Sequence, residues 1–326
     1  MKAVRINDFS GLDDVSIAEV EEPRPGIGEA LIRVRAAGVN RADLLQAAGR
    51  YPPPEGYSPN LPGLEFAGEI VELGEGASGF SIGDRVFGIT AGHAQAELLA
   101  VHTSLLANIP DELSYTEAGG IPEVYITAHD AVFTQNELRP GETLLIHAAA
   151  SGVGLAALDL AAAAGANVIG TSRTADKIER LKDLGLEHGI VTGDGKFAEA
   201  VLEMTAGRGV DVILDLVGAS YLAENLASLG QKGRISVVGL TGGTRSEIDL
   251  AAVLRKRASI RGTFLRARSP EEKAAATENF IREVLPLIDS GDARPHIDRA
   301  FKLDDAKAAY AYLASNKSFG KVVLEL

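Results

Sequence analysis

Residues 143–154 read TLLIHAAASGVG and decide the fold of the middle of the chain. Thr143–His147 is a short apolar run of the buried-strand type, and the residues from Gly152 onward follow an Ala/Leu helix pattern. Small residues between them allow the backbone to turn sharply, approach a pyrophosphate and pack the helix closely on its strand. The N–H groups and the positive dipole end of the helix favour a phosphate there. The stretch predicts a dinucleotide cradle.

The glycine pattern of this cradle is degenerate. Ala149 and Ser151 replace the first two glycines of G-x-G-x-x-G, and Gly154 is retained. The pattern alone is weak, but its place between a predicted strand and a predicted helix is the expected context. We assign Ser151, Gly152, Val153 and Gly154 to the cofactor. The alternatives are a tight turn that binds nothing and, for Ser151, a small residue tolerated in that turn.

Downstream of the cradle, buried strands alternate with helices. The predicted strands are Asn167–Thr171, Val210–Val217 and Arg234–Leu240, and the predicted helices are Thr174–Leu184, with Thr174 as N-cap, and Tyr221–Leu229. This alternation is typical of a parallel sheet covered on both faces. Residues 121–262 are therefore predicted to form a doubly wound α/β domain.

The two flanking regions have a different texture. Residues 1–120 are rich in Gly and Pro and contain short alternating segments, which predict a β-rich domain of antiparallel strands (Ala30–Val34, Phe66–Leu73, Arg85–Ile89). Residues 263–326 carry two amphipathic helix patterns and a last strand (Pro270–Asp289, Asp304–Ala314, Lys321–Leu326). This tail cannot bury its apolar faces alone. We expect it to fold back and complete the N-terminal domain.

The residues that follow the predicted strand Asn167–Thr171 indicate which cofactor binds. NAD-binding domains usually place Asp or Glu about 20 residues after the fingerprint, where it holds the ribose 2′-hydroxyl. Here the strand ends in Ser172, Arg173 and Thr174, with Lys177 one turn later. Arg173 and Lys177 would give a 2′-phosphate charge-assisted hydrogen bonds. We predict NADPH, with Ser172 beside it; the alternative is a solvated basic turn.

Composition excludes several classes of function. The formal net charge of −13 over 326 residues disfavours nucleic acid and membrane surfaces as partners. The absence of cysteine excludes disulfides, thiolate nucleophiles and Cys-ligated zinc. Met1–Asn7 has no signal-peptide core, and the longest apolar stretch, Leu155–Ala166, is too short to span a bilayer, so we expect a soluble cytoplasmic protein. The basic segment Leu254–Arg268 is interrupted by apolar strand residues, and most of its cations are expected to face solvent.

Six segments carry a resemblance to a known family: Gly38–Asp43 (GVNRAD), Gln46–Pro54 (QAAGRYPPP), Leu61–Gly68 (LPGLEFAG), Ile121–Ala128 (IPEVYITA), His147–Gly154 (HAAASGVG) and Asn316–Leu326 (NKSFGKVVLEL). In their order, and over almost the whole chain, they resemble the zinc-free quinone oxidoreductase branch of the medium-chain dehydrogenase/reductase superfamily, the ζ-crystallin relatives. The resemblance implies a GroES-like β-rich catalytic domain and a Rossmann-type doubly wound parallel sheet.

The sequence departs from the zinc enzymes of that superfamily. Gly63-Leu64-Glu65 stands where they carry Gly-His-Glu, and the metal-ligand cysteines are missing. The six histidines show no metal-ligand spacing. We therefore predict no bound metal. A hydride donor without a Lewis acid suits an acceptor that is already electrophilic, such as a quinone or an α,β-unsaturated carbonyl.

The resemblance implies that Asn40 and Tyr51 are catalytic and lie beside the nicotinamide. Tyr51 is predicted to donate a hydrogen bond to the carbonyl of the acceptor. Its alternative role is stacking on the prolines of the RYPPP turn. For Asn40 the alternative is an Asx-turn residue that closes its strand.

The remaining predicted cofactor residues are Thr127, Gly239, Leu240, Phe264, Leu265 and Lys321. Gly239 and Leu240 are expected to end a parallel strand, where ligands of open α/β sheets bind. Alternatives are a Thr127 hydroxyl bonded to its own helix backbone and a Lys321 solvated on an edge strand. For Phe264 and Leu265 the alternative is packing in the hydrophobic core.

The favoured function is an NADPH-dependent quinone reductase. One alternative is an enal or enone reductase, for which Tyr51 is the obvious acid. Another is a low-turnover NADPH-binding regulator. The family also implies a homodimer, formed by edge pairing of the last parallel strand near Ser259–Phe264.

Overall fold

The computed structural model describes all 326 residues, and the chain forms two compact units. Unit 1 comprises Met1–Ile126, Leu265–Asp289 and Pro295–Leu326; unit 2 comprises Thr127–Phe264 and Ser290–Arg294. The observed boundaries, at 126/127 and 264/265, lie a few residues beyond the boundaries predicted from the sequence, at 120/121 and 262/263. Unit 1 is thus discontinuous in sequence, because residues from both ends of the chain build it.

The strands are β1 (Lys2–Ile6), β2 (Val15–Glu19), β3 (Glu29–Val39), β4 (Glu65–Leu73), β5 (Arg85–Ile89), β6 (Leu98–His102), β7 (Leu106–Asn108), β8 (Thr143–Ile146), β9 (Asn167–Ser172), β10 (His188–Val191), β11 (Val210–Asp215), β12 (Leu229–Val237), β13 (Ser259–Gly262), β14 (Ile297–Lys302) and β15 (Lys321–Glu325). The helices are α1 (Arg41–Ala47), α2 (Tyr115–Ala118), α3 (Pro122–His129), α4 (Gly152–Ala163), α5 (Ala175–Asp183), α6 (Ala198–Met204), α7 (Leu222–Ser228), α8 (Leu250–Lys256), α9 (Pro270–Asn279), α10 (Leu285–Ser290) and α11 (Ala306–Ala314). A π-helical turn, Phe280–Val284, joins α9 to α10, so the predicted helix Pro270–Asp289 contains this turn. No helix is both long enough and apolar enough to cross a membrane.

Unit 2 is built on a six-stranded parallel sheet. Its strand order is β10-β9-β8-β11-β12-β13. The order reverses between β8 and β11, and the predicted Rossmann-type fold is confirmed. Ligands of such sheets bind beyond the carboxyl ends of the strands at the point of reversal. The first cradle residues follow β8 and therefore lie at that point.

The predicted strand Arg234–Leu240 is wrong in its bounds. The observed β12 begins at Leu229 and ends at Val237. The N–H groups of Val238 and Gly239 both bond to the carbonyl of Asp215, at 2.9 and 3.2 Å, which bends the chain out of the ladder. Gly239 and Leu240 consequently lie in the loop after the strand.

Unit 1 contains a seven-stranded sheet in the order β14-β15-β3-β4-β5-β7, with β6 also paired to β3. β1 and β2 form a separate antiparallel pair. β15 runs antiparallel to β3 and parallel to β14. The last strand of the tail, β15, lies beside β3, so the two ends of the chain contribute to the same sheet. β14 has no counterpart among the predicted strands.

Candidate functional site

The predicted phosphate cradle of unit 2 has the expected local geometry. β8 ends at Ile146, and α4 begins at Gly152 with Ser151 as its N-cap. The Ser151 hydroxyl accepts the N–H of Gly154 at 3.2 Å. The N–H groups at the start of a helix have no acceptor within it. Those of Gly152 and Val153 are therefore the donors that this cap leaves for an anion.

Gly154 is required by a close backbone approach. A Cβ built there would lie 2.6 Å from the carbonyl oxygen of Ala149 and 2.7 Å from its Cα. Ala148 adopts the left-handed conformation with φ of 47°, which tightens the same turn. The turn and the helix thus meet with no room for a side chain between them, as a pyrophosphate cradle requires.

Beneath the cradle, unit 2 buries a polar network. His147 Nε2 lies 2.6 Å from Asn225 Oδ1, and His147 Nδ1 lies 3.0 Å from the Thr171 hydroxyl. The Asn225 amide donates to the Asp215 carboxylate at 3.0 Å. Burial lowers the pKa of His147 to about 4, so the ring is neutral at physiological pH. The network ties together β8, β9, β11 and α7, which carry the cradle.

The tip of β9 carries the two predicted cations. Ser172 is the last residue of the strand and is buried, whereas Arg173 is exposed and Lys177 is half-buried in the first turn of α5. Asp176, which lies between the two cations in sequence, accepts a hydrogen bond from the Thr174 side chain, and this bond lowers its pKa.

The other predicted cofactor residues are spread over both units. Leu240 is 52% exposed and Phe264 50% exposed in unit 2, where Thr127 is half-buried on α3. Leu265 belongs to unit 1 and is buried.

Unit 1 contains a buried polar triangle of Asn40, Glu65 and Lys321. Lys321 Nζ lies 2.6 Å from both Glu65 Oε1 and Asn40 Oδ1. The Asn40 amide donates to the same Glu65 oxygen at 2.9 Å. Glu65 and Lys321 are 0% and 4% exposed. Asn40 is thereby held in one orientation, with its oxygen on the cation and its nitrogen on the anion.

Strand order brings these three residues together. β3 lies between β15 and β4 and runs antiparallel to both. Asn40 follows the last residue of β3, while Glu65 and Lys321 are the first residues of their strands. Gly38 makes room for the carboxylate, because a Cβ there would lie 2.1 Å from Glu65 Oε1.

Lys321 differs from both of its sequence-based interpretations. β15 is an interior strand and the ammonium is buried, so the solvated edge-strand lysine is wrong. Its donors go to Glu65, Asn40 and, at 3.3 Å, the carbonyl of Val39, rather than outward to a phosphate. An ammonium has three protons, and these three acceptors use them all.

A second buried cluster surrounds Tyr51. The Arg266 guanidinium lies 5.1 Å above the Tyr51 ring and donates to its carbonyl at 2.9 Å. It also donates to Gln46 Oε1 at 2.6 Å and to the carbonyl of Ala91 at 2.8 Å. The ring of Tyr51 therefore stacks on a cation. Burial raises the pKa of the Tyr51 phenol well above its usual value, so the group stays a hydrogen-bond donor.

Arg266 and Lys256 depart from the expectation that most cations of the basic segment Leu254–Arg268 face solvent. Arg266 is 3% exposed, and the Lys256 ammonium caps carbonyls at the end of α7, including those of Leu226 and Ala227. Arg261 donates to the carbonyl of Gln135. Arg255, Arg257 and Arg261 are exposed, so half of the six cations in the segment face solvent as expected.

Asn40 follows the last residue of β3 and is the N-cap residue of α1, while its side chain is bound to Lys321 and Glu65. Its N–H donates to Asp43 Oδ2 at 2.7 Å. Asp43 also accepts the N–H of Gly63 and the amide of Gln95. Burial raises the pKa of Asp43 to about 6. Asn40 thus combines a cap with the charged triangle.

Glu65, Arg266 and Glu123 were not among the predicted site residues. The backbone N–H of Glu123 donates to Glu65 Oε2 at 2.9 Å. Burial, followed by the charge of Glu65, raises the pKa of the Glu123 carboxyl to about 8. The available signal was a carboxylate inside an apolar run, in LPGLEFAG and IPEVYITA, since a buried charge needs a partner.

The residues of unit 1 do not fit a catalytic zinc. Leu64 occupies the position of the zinc-binding histidine and is buried, and the adjacent Glu65 is bound to Lys321. No three His, Asp or Glu side chains are arranged to hold a metal ion.

Comparisons with known proteins agree with this architecture. Residues 26–135 match the alcohol dehydrogenase GroES-like domain, and residues 152–282 match the zinc-binding dehydrogenase family. Quinone oxidoreductase-like protein 2 of Mus musculus is 34% identical over 316 residues, covering 96% of this chain and 89% of that protein.

Two solved structures are similar over nearly the whole chain. Quinone oxidoreductase of Escherichia coli, complexed with NADPH, is 26% identical with a TM-score of 0.90, and the match covers 100% of both chains. The CurK enoyl reductase is 28% identical with a TM-score of 0.89, covering 99% of this chain and 98% of that one.

Proposed function

The chain belongs to the quinone oxidoreductase branch of the medium-chain dehydrogenase/reductase superfamily, and from this premise we propose that it is an NADPH-dependent, zinc-independent quinone oxidoreductase. The carrying observation is the triangle of Asn40, Glu65 and Lys321, in which a protein cation neutralises the buried carboxylate. An acceptor reduced here relies on hydrogen-bond donors rather than on a metal. Quinones are electrophilic enough for that.

The residues of unit 2 fit the proposed cofactor. Helix α4 offers the N–H groups of Gly152 and Val153 to the pyrophosphate, and Gly154 allows the close approach. Arg173 and Lys177 would bind the 2′-phosphate. When bound, NADPH supplies the hydride. Thr127, Gly239, Leu240, Phe264 and Leu265 remain our candidates for its nicotinamide end. Lys321 acts through Asn40 instead.

Tyr51 is the proposed partner of the acceptor carbonyl. Its protonated phenol donates a hydrogen bond to the oxygen on which charge develops during reduction. Arg266 holds the ring by stacking and holds the backbone of the same residue by a hydrogen bond. Asn40 would orient the bound groups beside it, since both of its side-chain atoms are fixed.

Initial rates of NADPH and NADH oxidation against a para-quinone, a polycyclic ortho-quinone, an enal and an aldehyde test the function. We expect quinone-selective rates with NADPH, and a loss of about 10²-fold in kcat/KM in Tyr51→Phe. Preference for the enal would support alkene reduction, the alternative favoured by similarity to an enoyl reductase. NADPH binding without turnover would support the regulator.

Removing the two cations at the tip of β9 is expected to abolish the cofactor preference. Each charge-assisted hydrogen bond contributes about 1.5–3 kcal/mol, so Arg173→Ala/Lys177→Ala should raise KM for NADPH by about 10²-fold and leave KM for NADH unchanged. Lys182→Ala, an exposed lysine of the same helix paired with Glu179, is the matched control. Equal losses with both cofactors would contradict the assignment.

We also propose a homodimer formed through β13. This strand is the last of the parallel sheet, Ile260 on it is 37% exposed, and Leu250 and Leu254 of α8 are 71% and 75% exposed. Pairing of two β13 edges would cover unpaired backbone groups. Light scattering should give twice 34.1 kDa for the wild type and a lower mass for Ile260→Pro. A monomeric wild type would refute the dimer.

A further inference from the structure

The buried polar network of unit 2, formed by His147, Asn225, Asp215 and Thr171, allows one arrangement of its protons. The Asp215 carboxylate only accepts hydrogen bonds, so the Asn225 nitrogen faces it and the Asn225 oxygen faces His147. His147 Nε2 therefore donates to that oxygen, and Nδ1 accepts the proton of the Thr171 hydroxyl. Each of the four residues is at most 1% exposed, so bulk water does not compete for these contacts.

One end of the network shapes two neighbouring loops. Asp215 Oδ1 accepts the N–H groups of Val217 and Gly218, both at 2.8 Å, in the loop after β11. The carbonyl of Asp215 accepts the N–H of Gly239, in the loop after β12, at 3.2 Å. The two loops pack tightly, because a Cβ at Gly239 would lie 2.5 Å from the carbonyl oxygen of Leu216. Asp215 thereby sets the position of Gly239, one of our candidates for the nicotinamide end.

The other end of the network reaches the cradle and the tip of β9. His147 is the first residue after β8. The hydroxyl of Thr171 belongs to the network, and its carbonyl accepts the N–H of Ala149, in the cradle turn, at 2.9 Å. Ser172 ends β9 and Arg173 follows it. This end therefore lies among the residues proposed for the pyrophosphate and the 2′-phosphate.

Asn225 joins the two ends. It belongs to α7, and its amide lies between the Asp215 carboxylate and the His147 ring, at 3.0 and 2.6 Å. An apolar side chain in its place would leave a buried acceptor on one side and a buried donor on the other without partners. The loop after β11 and the turn after β8 would then lose the contact that fixes their spacing.

We propose that Asn225 is a positioning residue for NADPH, which holds the loops at the nicotinamide end in a fixed position relative to the cradle that binds the phosphates. This rests on the cofactor site of the proposed function. Ligands of open parallel sheets lie across the carboxyl ends of several strands, so their two ends contact loops from different strands. Asn225 is 0% exposed and acts through Asp215 and His147.

Calorimetric titration with NADPH and with 2′,5′-ADP, which carries the adenosine half without a nicotinamide, tests this role. Asn225→Leu keeps the branched shape of the side chain and removes both hydrogen bonds. We expect it to weaken NADPH binding by about tenfold. Binding of 2′,5′-ADP should stay within about twofold of wild type, because Ala149 and Thr171 still join the cradle to the tip of β9. Equal losses with both ligands, or no loss with either, overturn the proposal.

Thr205→Val is the matched control for a loss of stability alone. The Thr205 hydroxyl is buried and accepts the N–H of Gly209 at 2.9 Å, just before β11 and so at the opposite edge of the parallel sheet. Both variants should lower the temperature of unfolding, but Thr205→Val should bind both ligands as the wild type does. A selective loss of NADPH affinity in Thr205→Val would overturn the role given to Asn225.

His147→Phe keeps the test available if Asn225→Leu does not fold. It breaks the same link, retains an aromatic ring beside Phe197 and should give the same difference between the two ligands. It also assigns the His147 signal in ¹⁵N spectra, which should show the Nε2–H tautomer in the wild type at pH 7. An Nδ1–H tautomer or an imidazolium there overturns the network. These readouts need no acceptor, so a wild type that binds NADPH but reduces no quinone contradicts the proposed function alone.

Discussion

Lys321→Met is expected to lower the free energy of unfolding by about 3–5 kcal/mol, because it leaves the fully buried Glu65 without its cation. The methionine fills similar volume, so the loss reports charge rather than packing. The side-chain oxygen of Asn40 loses the hydrogen bond that Lys321 donates, so Asn40 is no longer held in one orientation. We therefore expect kcat/KM to fall together with stability. Chemical denaturation at pH 7 measures the first effect, and initial rates measure the second.

Two further variants isolate the electrostatic cause. Lys302→Met removes an ion pair to Glu325 at 2.7 Å, but that lysine is 73% exposed, so we expect a loss of about 0–1 kcal/mol. Glu65→Gln/Lys321→Met removes both buried charges and should recover most of the stability lost in the single variant. A Lys321→Met protein as stable as Lys302→Met would show that Glu65 does not depend on this ammonium.

Gly154→Ala is expected to destabilise unit 2 by about 1–3 kcal/mol and to weaken NADPH binding by at least about tenfold. The new methyl group would lie 2.6–2.7 Å from backbone atoms of Ala149, and backbone cannot rotate aside as a side chain can. The start of α4 must move away from the turn, and the N–H groups of Gly152 and Val153 move with it. Calorimetric titration with NADPH and thermal unfolding measure the two effects.

Gly193→Ala is the matched control in the same unit. A Cβ at Gly193 meets no atom within 4 Å, and its backbone does not require a positive φ. The same substitution there should leave NADPH affinity unchanged and stability within about 1 kcal/mol of wild type. Wild-type affinity in Gly154→Ala would contradict the assignment of the cradle.

The architecture of unit 2 was predictable because its signals are local. The buried strand Thr143–His147, the small-residue turn and the helix from Gly152 are adjacent in sequence, and each has its own periodicity. The end of β12 was missed because the bend depends on the carbonyl of Asp215, on a neighbouring strand. β14 was missed because its sequence, IDRAFK, has no apolar run and relies on pairing with β15.

The charged centre of unit 1 could not be assembled from local patterns. Lys321 meets Asn40 and Glu65 across 281 and 256 residues of sequence. Lys321 at the start of a predicted strand therefore gave no indication of its partners. Glu123 and Glu65, embedded in apolar segments, did signal burial, but only the fold shows that one has a cation and the other does not.

The pairing of β15 with β3 sets the order in which the protein can be completed during synthesis. The segment 127–264, which carries the whole parallel sheet, leaves the ribosome before β15 is translated. Until then β3 of the nascent chain lacks its pairing with β15, and Glu65 lacks the ammonium of Lys321. The sheet of unit 1 is therefore completed last. A premature stop codon shortly before Lys321 would destabilise unit 1, although most of its sequence is translated first.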